Sequence, residues 1–322
     1  ETKMNVQGIV LQQVIFFATV LIIGFAATST GLLSSESVDH IQKFMMKIIV
    51  PLLIITSIAN GGTREELFEV WPFVFLMFFM FFLAIGIGFL SGKMLGLKRE
   101  ELGAHTCSVS FINSVLIGFP ILEAVFPERS GLYMAAYLIV ETVMTWTVGV
   151  AILSASKGKA QVSLKKMISP TSIGLVIGLI LVFAGIRPSG TVWEALTGIG
   201  GTQKYVGLLY IGADIGRRGF KKLFEKPKVF TTIPIKLIIV PIVFFFVVKF
   251  TGLVSDEMLL AATIFAMLPS MLIITVLTQE YDTAPDYAVA SLLATTVGCL
   301  FTMPFVFSLL AGVCTLENRW LK

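Results

Sequence analysis

Residues 111–120 read FINSVLIGFP. They lie in an apolar segment that runs from about Ala104 to about Phe126, long enough to cross a membrane. Ser110, Asn113 and Ser114 bring polar groups into it, and Gly118 and Pro120 follow with Phe119 between them. Proline lacks a backbone donor and clashes with the preceding turn, so the helix is expected to break at 118–120. Irregular backbone at membrane depth is tolerated only where it is buried in protein or lines a wet cavity. Broken helices near the midplane are also where secondary transporters hold substrate and ions. This segment therefore sets both the fold class and the first place to look for function.

The rest of the chain supports a membrane protein. Of its 322 residues 56% are hydrophobic and 14% charged, with 27 Phe. A soluble domain carries about 25% charged residues, so this chain lacks the polar side chains to cover a globule of its size. Glu1 to Lys3 precede Met4 and read as a tag remnant. The three cysteines, Cys107, Cys299 and Cys314, are far apart and support neither a disulfide framework nor a zinc site. With two histidines, His40 and His105, a His-based metal centre is not expected, and no cofactor is implied.

Ten segments approach the length of a spanning helix, about 20 apolar residues. They run at about 8–28, 44–59, 71–95, 104–126, 132–153, 172–186, 192–215, 230–250, 258–277 and 288–313. Cytoplasmic loops collect Lys and Arg. The odd-numbered connections hold Lys43 and Lys47, then Lys93, Lys98 and Arg99, then Lys157, Lys159, Lys165 and Lys166. The seventh adds Arg217, Arg218, Lys221, Lys222, Lys226 and Lys228. The even connections hold only Arg64, Arg129, Arg187 and Lys249. Odd connections are thus expected in the cytoplasm and both termini outside. The basic run 217–228 lies between two spans and reads as this topology signal together with anionic-lipid contact, not as a nucleic-acid site.

Ten spans divide into two fives, residues 1–153 and 171–322, with 154–170 as a cytoplasmic linker. Five spans per half make the halves enter the membrane with opposite polarity, the inverted-repeat plan of many secondary transporters. The fourth span of the second half carries Pro269-Ser270, matching the 118–120 interruption in the first. Breaks at corresponding positions point to a binding site, and the half-helix N-termini meeting there suit an anion. Pro51, Pro241 and Pro304 are expected to kink their helices without breaking them.

FINSVLIGFPILEAVF at 111–126 resembles the auxin efflux carrier family, whose fourth helix carries an Asn-Ser/Thr-Gly-x-x-Gly-x-Pro pattern. Asn113, Ser114, Gly118 and Pro120 match, and Val115 stands where the family often has Gly. AMLPSMLIITVLTQEY at 266–281 is similar to the second crossover, through Met267, Pro269 and Tyr281, and ATTVGCLFTMPFV at 294–306 to the last helix. The resemblance spans the chain. It implies an all-α membrane protein of ten transmembrane helices, two inverted five-helix repeats with broken helices 4 and 9, and scaffold and transport subdomains. It implies export or exchange of small organic anions, auxin in plant relatives and malate or malonate in bacterial ones, and a homodimer. The short 154–170 linker resembles bacterial members, implying a bacterial inner membrane. One departure stands out: plant members often have Asn near Ser270. Here a substrate carboxylate is expected to meet the Ser270 hydroxyl and backbone N–H instead.

Ionisable groups within spans are functional candidates by default. Glu141 lies mid-span among Tyr137, Thr142, Thr145 and Trp146, either as a proton-coupling group or as a structurally neutralised acid. Lys236 either snorkels to the interface or pairs with an anion or with Glu141. Glu123 lies near the outer side, Asn60 ends the second span, Lys47 is expected to snorkel, and Asp214 to pair with Arg217 and Arg218. The leading function is alternating-access transport of a small organic anion framed by Asn113, Ser114, Gly118, Pro120, Pro269 and Ser270. A sodium-coupled symporter of the bile-acid-carrier kind is the runner-up, disfavoured by a crossover poor in Asp and Glu. A non-transporting membrane sensor would usually need an output domain. An intramembrane enzyme is least expected: no span holds paired Asp, His-Glu-x-x-His or Ser-His.

Overall fold

The computed structural model describes residues 6–158, 160–219 and 221–314; Glu1 to Lys3 lie outside them. In chain order the helices are α1 (Val6–Ser29), α2 (Ser35–Asn60), α3 (Arg64–Met94), α4 (Arg99–Ser110), α5 (Ser114–Val125), α6 (Ser130–Ser156) and α7 (Pro170–Phe183). There follow α8 (Thr191–Gly201), α9 (Gln203–Arg218), α10 (Pro227–Thr251), α11 (Asp256–Ala266), α12 (Leu272–Glu280) and α13 (Pro285–Ala311). Among the described residues α1, α2, α3, α6, α10 and α13 are long and apolar enough to cross a membrane. Large apolar side chains such as Ile15, Ile22, Phe75, Phe82, Phe301 and Phe305 are exposed on these helices, as lipid-facing surfaces require.

The ends follow local chemistry. α2 starts nine residues before the expected Phe44, because the Ser34 side chain accepts the Ser37 N–H at 3.1 Å and caps it. Thr63 and Glu66 close a capping box on α3, and Ser169 and Ser172 on α7. The weak 192–215 segment resolves into two helices, α8 and α9, hinged at Thr202.

The expected break at 118–120 is corrected by the structure. The helix ends at Ser110, residues 111–113 are non-helical, and α5 begins at Ser114, six residues before Pro120. Pro120 is carried by a wide π turn over Ser114–Gly118, in which Gly118 N–H donates to the Asn113 carbonyl. Pro51 and Pro241 also follow such turns, over Met45–Ile49 and Ile235–Ile239. A wider turn relieves the clash between the proline ring and the preceding turn, so each helix continues. Pro269 does fall in a true break, between α11 and α12.

Two packing sets position these breaks. α1 runs along α9, and α7 and α8 lie against α2. Glycines set how closely the helices approach. A Cβ on Gly212 would fall 2.1 Å from the Leu21 carbonyl oxygen, and one on Gly24 2.2 Å from that of Leu209. Small residues give the close backbone approach that holds helices together in lipid. In the second set, α3 packs on α4 and α6, and α10 and α11 on α3. Its centre is a run of aromatic rings. Tyr137 stacks on Phe265 at 4.4 Å and on Phe81 at 6.0 Å, and Phe111 meets Phe81 at 5.2 Å. Gly149 admits the Phe111 ring, since a Cβ there would sit 2.9 Å from it. The segment after α6 is tied to α4 and to the end of α12: Lys157 pairs with Glu100 and Asp282 at 3.0 and 3.1 Å, and Lys166 pairs with Glu280.

Gly212→Val is expected to force α1 from α9, an overpacking cost of about 1–3 kcal/mol, seen as a lower melting temperature in detergent. Gly198→Ala, with open space around it, should leave melting unchanged.

Candidate functional site

The two breaks cross. Ile112 and Ser270 form an antiparallel bridge. Asn113 N–H donates to the Pro269 carbonyl at 2.9 Å, and Met271 N–H donates to the Phe111 carbonyl at 3.0 Å. Each break thus supplies the backbone partners the other lacks. Ser270 completes the crossing: its N–H donates to Thr295 Oγ1 at 3.0 Å and its hydroxyl to the Ser108 carbonyl at 2.6 Å. Both groups are spent within the protein, so Ser270 braces the crossing and does not offer them to a bound carboxylate as expected.

A cavity of about 370 Å³ lies beside the crossing. α5 and α12 enter it by their first turns, through Ser114 to Leu116 and Leu272 to Ile273. Both contribute helix N-termini, where free N–H groups and the positive dipole ends favour negative charge. Asn113 also lines it, and its side-chain amide has no hydrogen-bond partner among the described residues. From α6 come Glu141, Thr142, Thr145 and Trp146; from α2 come Gln42, Met46 and Lys47. Ser114 Oγ donates to Glu141 Oε2 at 2.6 Å, so the buried acid is fixed to the start of α5. Lys47 is the cation on this wall among the described residues, and it makes no ion pair. Apart from Ser169 and Thr171 the remainder of the lining is apolar, including Val50, Leu138 and Val276.

The expected residues divide three ways. Asn113, Ser114 and Glu141 reach the cavity. Gly118, Pro120, Pro269 and Ser270 shape it from behind; Gly118 lets Leu268 approach, for a Cβ there would meet Leu268 Cδ1 at 2.4 Å. Asn60 and Glu123 line a second cavity of about 150 Å³ between α2, α5 and α8, where Asn60 Oδ1 accepts the Trp193 Nε1–H at 3.0 Å. Lys236 lines neither. It does not snorkel: it is 1% exposed on the wide turn of α10, which packs on α3 and α13, and pairs with no acid among the described residues. Asp214 pairs with Arg217 at 2.7 Å and Arg218 at 2.8 Å, the expected partners, but it is buried rather than at the surface, and Arg217 also holds Asp39 of α2.

Lys47, Gln42 and Trp146 were not expected in the site. Lys47 is exposed, as an interfacial lysine would be, and also lines the cavity.

Apolar spanning helices, two broken segments crossing inside the protein and a cavity at the crossing define a membrane transporter, not an enzyme. The chain matches the membrane transport protein family over residues 9–307 and belongs to it, the family of the auxin efflux carriers. It is 20% identical to an uncharacterized transporter of Methanothermobacter thermautotrophicus over 300 residues, 91% of this chain and 96% of that relative.

Removing the hydroxyl in Ser114→Ala should leave Glu141 without its bond and lower stability by on the order of 1 kcal/mol. Glu141→Gln, which still accepts from Ser114, should melt close to the parent; equal melting of all three would remove the bond as a structural element.

Proposed function

We propose that this protein is a secondary active transporter that exports a small organic anion, such as a carboxylate, by alternating access around the crossing. The observation that carries the reading is the crossing itself, with two helix N-termini, an unpartnered Asn113 amide and Lys47 facing one cavity. Asn113 donates its amide N–H to the carboxylate, the helix ends add fixed positive potential, and Lys47 supplies the formal charge. Glu141 is the proton-coupling group: it is an acid on the cavity wall, bonded to the half-helix that the substrate touches.

The architecture in this reading is ten spans in two inverted repeats, residues 1–153 and 171–322, joined by the 154–170 linker. α4 with α5 forms the fourth span and α11 with α12 the ninth. The packing supports it. Under an inverted repeat the first and sixth spans are equivalent, as are the second and seventh, so first-on-seventh packing must be mirrored by sixth-on-second. α1 along α9 and α7 along α2 are that pair of contacts. α1, α2, α7, α8 and α9 form the frame, and the crossing moves with α3, α6, α10 and α13. In this reading the linker lies in the cytoplasm and both termini outside, which the basic connections support, in a bacterial inner membrane, which the short linker supports, and the cavity, which reaches Ser169 and Pro170, then faces inward. The partners are the anion, the lipid bilayer and a second copy in a homodimer; no nucleic acid is involved.

A thermal-shift panel of carboxylates and amino acids on the purified protein identifies the substrate, because a ligand of the folded state raises melting by mass action. Proteoliposome flux of the best stabiliser should fall at least about tenfold in Asn113→Ala, the cost of roughly 1.4 kcal/mol of binding. Flux equal to the parent would remove Asn113 from the site. Glu141→Gln should transport without response to an imposed proton gradient, and a retained response would reassign the coupling.

A further inference from the structure

The two cavities are stacked along one seam. On α2, Lys47 and Val50 face the larger and Leu53 and Asn60 the smaller. On α5, Ser114 and Leu116 face the larger and Phe119 and Glu123 the smaller. Between them Val50, Leu53, Leu116 and Phe119 are buried and form an apolar wall.

A polar bond crosses the seam within this wall. Gln203, the first residue of α9 and 1% exposed, donates from Nε2 to the Val115 carbonyl at 2.9 Å. The sequence explains why that carbonyl is available. In the wide turn of α5 each N–H donates five residues back: Gly118 to Asn113 and Phe119 to Ser114. The next donor in this register, to Val115, would be residue 120, and residue 120 is proline, which has no N–H. A bare carbonyl among apolar side chains costs several kcal/mol. Gln203 supplies the missing donor from the opposite set of helices. The side chain is confined as well: a Cβ on Gly207 would lie 2.9 Å from Gln203 Nε2 and 3.5 Å from Leu116 Cδ2.

We propose that Gln203 is the positioning residue that latches the crossing to the frame, holding the wall between the two cavities closed in the arrangement seen here. The proposal rests on the alternating-access reading. Any slide or rock of the crossing against α9 carries Val115 away from Gln203, so this bond must break for the smaller cavity to deepen towards Asn113. Pro120 thereby has a second role. By emptying one rung of its own helix, it creates the acceptor through which the frame grips the moving part.

The test uses one introduced cysteine reporter at a time in nanodiscs, where both faces meet the reagent. Thr142→Cys reports the larger cavity and Thr56→Cys, buried beside the wall, the smaller. Rates of N-ethylmaleimide labelling are compared with and without Gln203→Met, which keeps the length and removes the donor. The cysteine-bearing parent corrects for Cys107, Cys299 and Cys314, which are buried. Labelling of Thr56→Cys should rise roughly threefold to tenfold, the range a single interhelical hydrogen bond supports, while that of Thr142→Cys falls. Gly207→Ala, whose Cβ would press on the Gln203 amide while leaving its donor in place, should move both rates in the same directions by less. Unchanged rates overturn the latch, and so does a rise at both reporters together, which marks loosening of the fold. Flux is measured in parallel: a Gln203→Met variant with the parent's labelling rates, in a protein whose flux is intact, sinks the latch alone, whereas a parent that moves no carboxylate of the panel sinks the transport reading beneath it.

Discussion

Backbone polar groups cannot be left bare at membrane depth, and the structure is organised around that constraint. Two helices are interrupted where no water can replace the lost bonds. Neither interruption is stable alone. Laid across one another, Phe111 to Asn113 and Pro269 to Met271 exchange backbone hydrogen bonds, and Thr295 and Ser108 take what remains of Ser270. The aromatic rings behind the crossing, with Phe111 seated against Phe81 and Gly149, hold the two segments in register.

The same constraint produces the site. Interrupting two helices and crossing them brings the N-termini of α5 and α12 to one cavity, so positive potential is supplied by backbone dipoles rather than by a cluster of cations. Few polar side chains are then needed. Asn113, the Ser114–Glu141 pair and Lys47 are set in a largely apolar wall. On the proposed reading, such a wall gives the organic part of the substrate a place to lie and leaves orientation to a small number of directional groups.

Much of this was legible in the sequence, though unevenly. The apolar runs and the presence of two interrupted helices follow from composition and local chemistry. The position of the first break does not. Pro120 signals a missing donor, and a helix can meet that need in two ways, by ending or by widening. It widens here, and Gln203 provides a donor for the carbonyl left over. The actual break, at Phe111 to Asn113, contains no proline or glycine; it is paid for by Pro269 and Met271, more than 150 residues away. Ser270 misleads for a similar reason. Its hydroxyl reads as a ligand until Ser108 is found to accept it. Lys236 is buried where snorkelling was one expectation, because the depth of a lysine depends on what packs over its helix.

The sequence by itself determined that the chain is an all-helical membrane protein of the auxin efflux carrier family with interrupted helices, since hydropathy, missing backbone donors and the Asn113 to Pro120 pattern are properties of local stretches. Tertiary structure alone decided where the first helix opens, which polar groups face the cavity and which are consumed in bracing it. The reason is physical: a sequence records which backbone and side-chain groups need partners, but in lipid the partner comes from whichever distant helix is packed alongside, and only the fold brings that helix there.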